Sequence, residues 1–252
     1  MASAVIEIRG TTTLVGLLGD PISGSLSPRM QNAAFAAAGL DWAYVPLPVA
    51  AERLEDAVRG LVALGFAGAN VTIPHKRAVI ELCDELDPVA ERAGSVNTLV
   101  VRGGCVLGWS TDGEAVTSAI ETAGARCLVL GAGGAAQAVT AALWDAGAAD
   151  IQVVSRNDHG WPPTGAGVDV IVNATPVRDE PIVAPRAGQQ VVDLAYRSDG
   201  RPTALVSAAL LAGCPRVVDG LEVLVRQGAA SFERWTGVPA PVEAMRAAVR
   251  GG

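Results

Sequence analysis

Short apolar runs alternate along this chain with alanine-rich segments whose apolar residues recur every three or four positions. TLVGLLG (13–19) reads as a strand, and SPRMQNAAFAAAG as a helix closed by Gly39. WAYVPLPV is a strand, AERLEDAVRGLVALG a helix, GANVTI a strand and KRAVIELCDEL a helix. A βαβαβα order predicts a mostly parallel sheet with helices on both faces. NTLVV and CVLGW flank Arg102-Gly103-Gly104 and predict a small hairpin.

A new unit begins near Gly113. GEAVTSAIETAG predicts a helix, RCLVLGAGGAAQAVTAALWDAG a strand, glycine turn and helix, and IQVVSR, VDVIVNAT and QQVVDLAY three further strands. TALVSAALLAG is a helix, RVVDG a short strand, and the tail two more helices. Between Arg156 and Val168 stands NDHGWPPTGAG, too short and too rich in proline and glycine for the helix a parallel crossover normally carries. This half is expected to have lost a crossover helix, which leaves room for an irregular strand order.

Half of the 252 residues are hydrophobic and 18% are charged, as in a well-filled globular protein. The net charge of −7, without a lysine or arginine run, argues against nucleic acid as a partner. MASAVIEIRG lacks the apolar stretch of a signal peptide, and no run of about 20 apolar residues suggests a membrane span. Cys83, Cys105, Cys127 and Cys214 are scattered and the histidines number two, so neither disulfides nor a metal site are expected. A cytoplasmic α/β protein is the expectation.

Gly131, Gly133 and Gly134 follow an apolar strand and open a helix. That context makes the motif informative: glycine allows the tight turn and a close approach by pyrophosphate, which the helix N-terminus favours. Ala136 replaces the third glycine of the fingerprint. The next strand ends at Arg156, suited to the 2′-phosphate of NADP, whereas Asp158 would suit the ribose of NAD; NADP is the preferred reading.

In the first half, GDPISGSLSP sets Ser23, Ser25 and Ser27 at a strand-to-helix turn. Ser27 reads as N-cap before Pro28, which leaves Ser25 unexplained by capping and available to a carboxylate. In NVTIPHK, Pro74 opens the next predicted helix with Lys76 in its first turn, a place disfavoured for a cation. Lys76 is there either as a mildly penalised surface residue or as a proton donor. His75 reads as packed beside or beneath such a site. Asn97 and Asp112 end apolar stretches and read equally as turn or cap residues.

The stretches GDPISGSLSP, GANVTIPHK, AGSVNTLV, TDG, LGAGGAA, SR, NATP, DLAY and DGLEVLVRQGA resemble, in order and wording, the shikimate dehydrogenase family, over about Gly16 to Met245. The resemblance implies two α/β domains: a substrate domain over 1–112 and a shortened Rossmann-like NADP-binding domain over 113–224. Helices in 225–252 would return to the first domain, and substrate and NADP would share the cleft. It implies that Lys76 and Asp112 are the catalytic pair. Ser25, Ser27 and Tyr196 would hold the substrate carboxylate, and Thr72, Asn97 and Gln227 its ring hydroxyls. Gly131, Gly133, Gly134, Ala135, Ser155, Arg156, Asn173, Thr175 and Gly220 would hold the cofactor, NADP with NAD as the alternative. The implied reaction is reversible reduction of 3-dehydroshikimate to shikimate, by a monomer or homodimer.

Four positions depart from the family pattern: Gly24 for a histidine, Ser110 for an asparagine, Arg178 for a glycine, and the missing crossover helix. The first two bear on substrate choice and keep quinate and aminoshikimate open. The last two bear on the cofactor and keep open a non-catalytic relative with a weakened cofactor site. A folate-type dehydrogenase with a strand-end lysine is a third reading, which the serine pair disfavours.

Overall fold

The computed structural model describes residues 7–251, so most of the amino-terminal stretch read above for a leader lies outside the described residues. The described chain falls into two units, and neither is continuous. One holds the chain up to Asp87, Val96–Trp109 and the stretch from Gly228 on; the other holds Pro88–Ser95 and Ser110–Gln227.

In the first unit, β1 (Thr13–Gly19) pairs in parallel with β2 (Trp42–Pro48) and with β3 (Gly68–Val71). β5 (Thr98–Arg102) then runs antiparallel to β3 and forms the expected hairpin with β6 (Cys105–Trp109). With β4 (Glu85–Leu86) at the edge, the order is β2-β1-β3-β5-β6-β4. The sheet is therefore mixed, with three of its five strand pairs parallel. α1 (Ser27–Ala37) and α2 (Leu54–Ala63) follow β1 and β2, whereas the short α3 (Pro88–Ala93) belongs to the second unit. The C-terminal end of the chain completes this core through α7 (Gly220–Thr236) and α8 (Val242–Arg250). Phe232 stacks on Phe35 with ring centroids 5.3 Å apart, Trp235 Nε1 donates to the Leu99 carbonyl at 2.9 Å, and Met245 is fully buried.

Residues 76–86 are not the α-helix their periodicity predicts. Only a 3-10 turn forms, Ala78–Leu82, before β4. Asp84 explains the switch: its N–H donates to Val106 O at 2.8 Å and its Oδ2 accepts from Val106 N at 2.7 Å. The hairpin edge thus claims a segment that would otherwise continue as helix.

In the second unit all strand pairs are parallel, in the order β11-β10-β9-β7-β8. The strands are β7 (Arg126–Leu130), β8 (Asp150–Val154), β9 (Val170–Asn173), β10 (Gln190–Asp193) and β11 (Arg216–Val218). This is the six-stranded dinucleotide-fold order with the strand outside β8 missing, so the order stays regular despite the shortening. Among the described residues no helix lies between β8 and β9, or between β9 and β10.

Side chains alternate along the strands as the pleat demands. Cys127, Val129, Val170, Val172 and Val192 face one core with residues of α4 (Asp112–Thr117) and α5 (Gly134–Asp145). Leu128, Leu130, Ile171 and Val191 face the other, with α6 (Ala204–Leu211). That second face is completed by Trp161, Val168 and Val183 from the non-helical crossovers. The predicted helix over 113–124 stops at Thr117. Arg226 and Arg216 take up the carbonyls of Ser118 and Ala119, at 3.3 and 3.0 Å. Among the described residues, no helix is long and apolar enough to cross a membrane.

Candidate functional site

Parallel pairing brings the carboxy-terminal ends of β1 and β3 together, and antiparallel β5 starts at the same edge. Backbone bonds stitch these exits: Thr72 N to Leu18 O at 2.9 Å, Asp20 N to Ile73 O at 3.0 Å, Val71 N to Asn97 O and Val96 N to Lys76 O, both at 2.8 Å. Thr72 and Lys76 are half-buried there, and Asn97 is buried.

Two local expectations are corrected. Ser27 is not the N-cap of α1: Leu26 occupies that position without a side-chain cap bond, and Ser25 Oγ accepts the Ser27 N–H at 3.2 Å. The turn therefore uses the serine that capping had left unexplained, and Ser27 becomes the buried first residue of the helix. Lys76 is not in the first turn of a helix, because the 3-10 turn opens after Arg77, so the helix-dipole argument for it lapses. His75 is buried and its Nε2 donates to Val49 O at 2.7 Å, which holds the Thr72–Lys76 loop from beneath.

A buried polar network escaped the sequence reading. Asn70 Oδ1 accepts from Tyr44 Oη at 2.9 Å, and Asn70 Nδ2 donates to Asn97 O, Thr98 Oγ1 and Ser231 Oγ. Thr98 Oγ1 donates to Asn97 Oδ1 at 3.1 Å, which fixes the asparagine's orientation. The signal for it was an asparagine inside an otherwise apolar strand.

In the second unit the cofactor candidates and Tyr196 lie at the carboxy-terminal ends of the strands, where open α/β sheets bind ligands. Gly131 has φ +118°, and a Cβ there would stand 3.1 Å from Ala174 O, so only glycine suits a turn pressed against the exit of β9. Gly133 has open space where a Cβ would be, and with Gly134 and Ala135 it starts the twelve-residue α5. These features fit a dinucleotide pyrophosphate. After β8, Asp158 Oδ2 accepts both the N–H and the hydroxyl of Ser155, and these bonds hold its carboxyl below the usual range. Arg156 projects into solvent without a hydrogen-bond or ion-pair partner among the described residues.

Asn173 Oδ1 accepts from the N–H and hydroxyl of Thr175, at 3.0 and 2.7 Å. Its amide donates to Asp193 Oδ1 at 2.8 Å. Tyr196 is half-buried just beyond β10. A Cβ at Gly220 would meet Ala195 O at 2.3 Å, so the start of α7 must be bare there. Asp112 is the buried first residue of α4, Thr111 Oγ1 donates to Gln227 O at 3.2 Å, and Gln227 Nε2 donates to Leu224 O at 2.8 Å. Arg178 lines a cavity of about 480 Å³ with Pro176, Val177, Asp179 and Glu180. Asp193, buried and charged, was not singled out by the sequence, although an aspartate ending the apolar strand QQVVD was a signal.

Family models match two parts of the chain: the shikimate dehydrogenase substrate binding domain over residues 17–99, and the shikimate 5'-dehydrogenase C-terminal domain over residues 220–250. A curated relative, shikimate dehydrogenase (NADP(+)) of Rubrobacter xylanophilus, is 42% identical over 283 residues, covering 98% of this chain and 99% of that protein. The alignment is longer than the chain, so the relative carries residues that this one lacks. The structure of shikimate 5-dehydrogenase from Thermus thermophilus, in complex with NADP(H) and shikimate, superposes with a TM-score of 0.83 at 30% identity, covering 95% of this chain and 99% of that one. The ligand-free 5-ketofructose reductase of a Gluconobacter species superposes with a TM-score of 0.84 at 28% identity, over 96% and 99% of the two chains.

Proposed function

This chain belongs to the shikimate dehydrogenase family, and we propose that it catalyses the reversible NADP-dependent reduction of 3-dehydroshikimate to shikimate. The observation that supports this most is near-complete coverage of curated NADP-dependent relatives at about 40% identity, with the family's polar residues gathered at the strand ends of each unit.

The first unit is read as the substrate-binding part. Ser25 and Ser27, with Tyr196, receive the ring carboxylate, and Thr72, Asn97 and Gln227 hold the ring hydroxyls. The second unit is read as the dinucleotide-binding part. The N–H groups of Gly133, Gly134 and Ala135, beyond the Gly131 turn, receive the pyrophosphate. Ser155 and Arg156 receive the adenosine 2′-phosphate, a role for which a fork of N–H donors is suited. Asn173, Thr175 and Gly220 line the path towards the nicotinamide.

When bound, NADPH supplies the hydride. The chain supplies the proton: Lys76 gives it to the ketone oxygen as the carbonyl carbon is reduced, with Asp112 as the second member of the family's catalytic pair. Reversal needs the same pair to accept the proton from the alcohol. A cytoplasmic location and a monomeric or homodimeric state belong to this reading and rest on the family alone.

Gly24 and Ser110 favour a second reading in which another cyclic hydroxy acid is the preferred substrate. Steady-state rates followed at the NADPH absorbance band decide. Shikimate, quinate and an amino analogue are each run against NADP and NAD. Shikimate with NADP is expected to give the highest kcat/KM. A higher value for quinate or the amino analogue selects the second reading, and no turnover with any pair refutes both.

A further inference from the structure

Asp193 closes β10 with its side chain fully buried, and no lysine or arginine is among its partners. Its Oδ1 accepts from Asn173 Nδ2 at 2.8 Å and from the Ala195 N–H at 2.9 Å, and its Oδ2 accepts the Thr203 hydroxyl at 2.5 Å. The other charge acting on it is a second carboxylate, Asp219. A buried carboxylate without a cation is costly, and a purely structural core position would be served by an apolar residue. What the carboxylate gains is three donors from three different segments at the ligand-binding edge of the sheet.

Each donor leads onward. The Asn173 amide donates to Asp193 and, at 3.4 Å, to Val177 O, so its Oδ1 must face the N–H and hydroxyl of Thr175. Thr175 Oγ1 in turn accepts the Val177 N–H at 3.3 Å, which shapes the loop after β9. Ala195 precedes Tyr196 and lies against Gly220. Thr203 caps α6 by accepting the Val206 N–H at 3.3 Å. One carboxylate therefore sets an amide orientation, a peptide plane and a helix start.

We propose that Asp193 is a positioning residue: it touches neither ligand, but orients Asn173 with Thr175 and the Ala195–Tyr196 peptide so that dinucleotide and substrate meet preset partners. This rests on the site assignment above. Asparagine at 193 has the same shape but no charge: with its Oδ1 kept on Asn173 and Ala195, its NH₂ faces Thr203, whose hydroxyl must turn from donor to acceptor, and all three bonds lose the charge that strengthens them.

Full-length Asp193→Asn and Thr203→Val proteins are compared with the wild type at a temperature well below each unfolding midpoint. Binding of NADP and NADPH is titrated by fluorescence, and kcat and KM are measured with shikimate. Asp193→Asn is expected to weaken NADP binding about tenfold or more and to raise KM for both substrates more than it lowers kcat. Thr203→Val, remote from the assigned ligand groups, is expected to weaken NADP binding about threefold. A residue serving stability alone would shift the midpoint and leave these constants unchanged; that result for Asp193→Asn overturns the inference. If Asp193→Asn does not fold, unchanged NADP binding in Thr203→Val overturns it instead. Wild-type protein that binds neither NADP nor NAD overturns the site assignment itself, a separate outcome.

Discussion

The carboxylate of Asp158 accepts both the N–H and the hydroxyl of Ser155, at 2.7 and 2.9 Å. This side chain is committed to closing the turn after β8, and Arg156 is the group left projecting. On the proposed assignment, nucleotide choice falls to the arginine. Arg156→Ala is expected to raise KM for NADP about tenfold or more, roughly 1.4 kcal/mol, with KM for NAD within about twofold. Equal losses for both nucleotides in steady-state kinetics would contradict the 2′-phosphate assignment.

The crossover from β8 to β9 is short and carries no helix among the described residues. On the proposed cofactor assignment this thins one wall of the adenosine site, and NADP is expected to bind with a Kd above the low-micromolar range. Isothermal titration measures it directly, and a low-micromolar value would sink the idea.

Lys76 is assigned the proton. Lys76→Ala is expected to lower kcat by roughly 10²–10⁴-fold, the range general acid catalysis contributes. NADP affinity, titrated by fluorescence, is expected to stay within about twofold. Near-normal turnover by the variant would remove Lys76 from the chemistry.

Burial raises the Asp193 carboxyl from 3.8 to about 6, against the lowering effect of its hydrogen bonds. The native state then holds this proton to higher pH than the unfolded chain does. The group's contribution to stability is present in full below about pH 4 and lost as pH rises through 6, a loss of about 3 kcal/mol. Asparagine cannot titrate. Unfolding free energies of Asp193→Asn relative to wild type are thus expected to move in favour of the variant between pH 4 and 7. A flat difference across that window in urea titrations would refute the linkage.

Asn70 serves four buried groups at once. Asn70→Ala removes the amide shared by Tyr44, Asn97, Thr98 and Ser231, and is expected to cost about 2–4 kcal/mol of stability by urea unfolding. A loss below about 1 kcal/mol would mean that water replaces the amide.

Strands, most helices and the hairpin were legible because each rests on a local pattern: alternation, three- and four-residue spacing, or paired glycines. The motif order carried the family. What stayed hidden depends on partners remote in sequence. The fate of 76–86 turned on Asp84 meeting Val106, and α4 stopped early where Arg216 and Arg226 reached its carbonyls. Leu26 took the N-cap position of α1 with helical angles and no side-chain cap bond, which put Ser27 inside the helix. Asp193 and Asn70 look ordinary until Thr203 and Ser231 arrive from elsewhere in the chain.

Phe232, Trp235 and Met245 complete the core that Phe35 and Leu99 begin, across some two hundred residues of intervening chain. On the ribosome the order of completion is thus inverted. The second unit, drawn almost entirely from Ser110–Gln227, has all its strands before the last helix of the first emerges. The first unit must wait with part of its apolar interior uncovered, so early translational stops leave the earlier-made half as the exposed one.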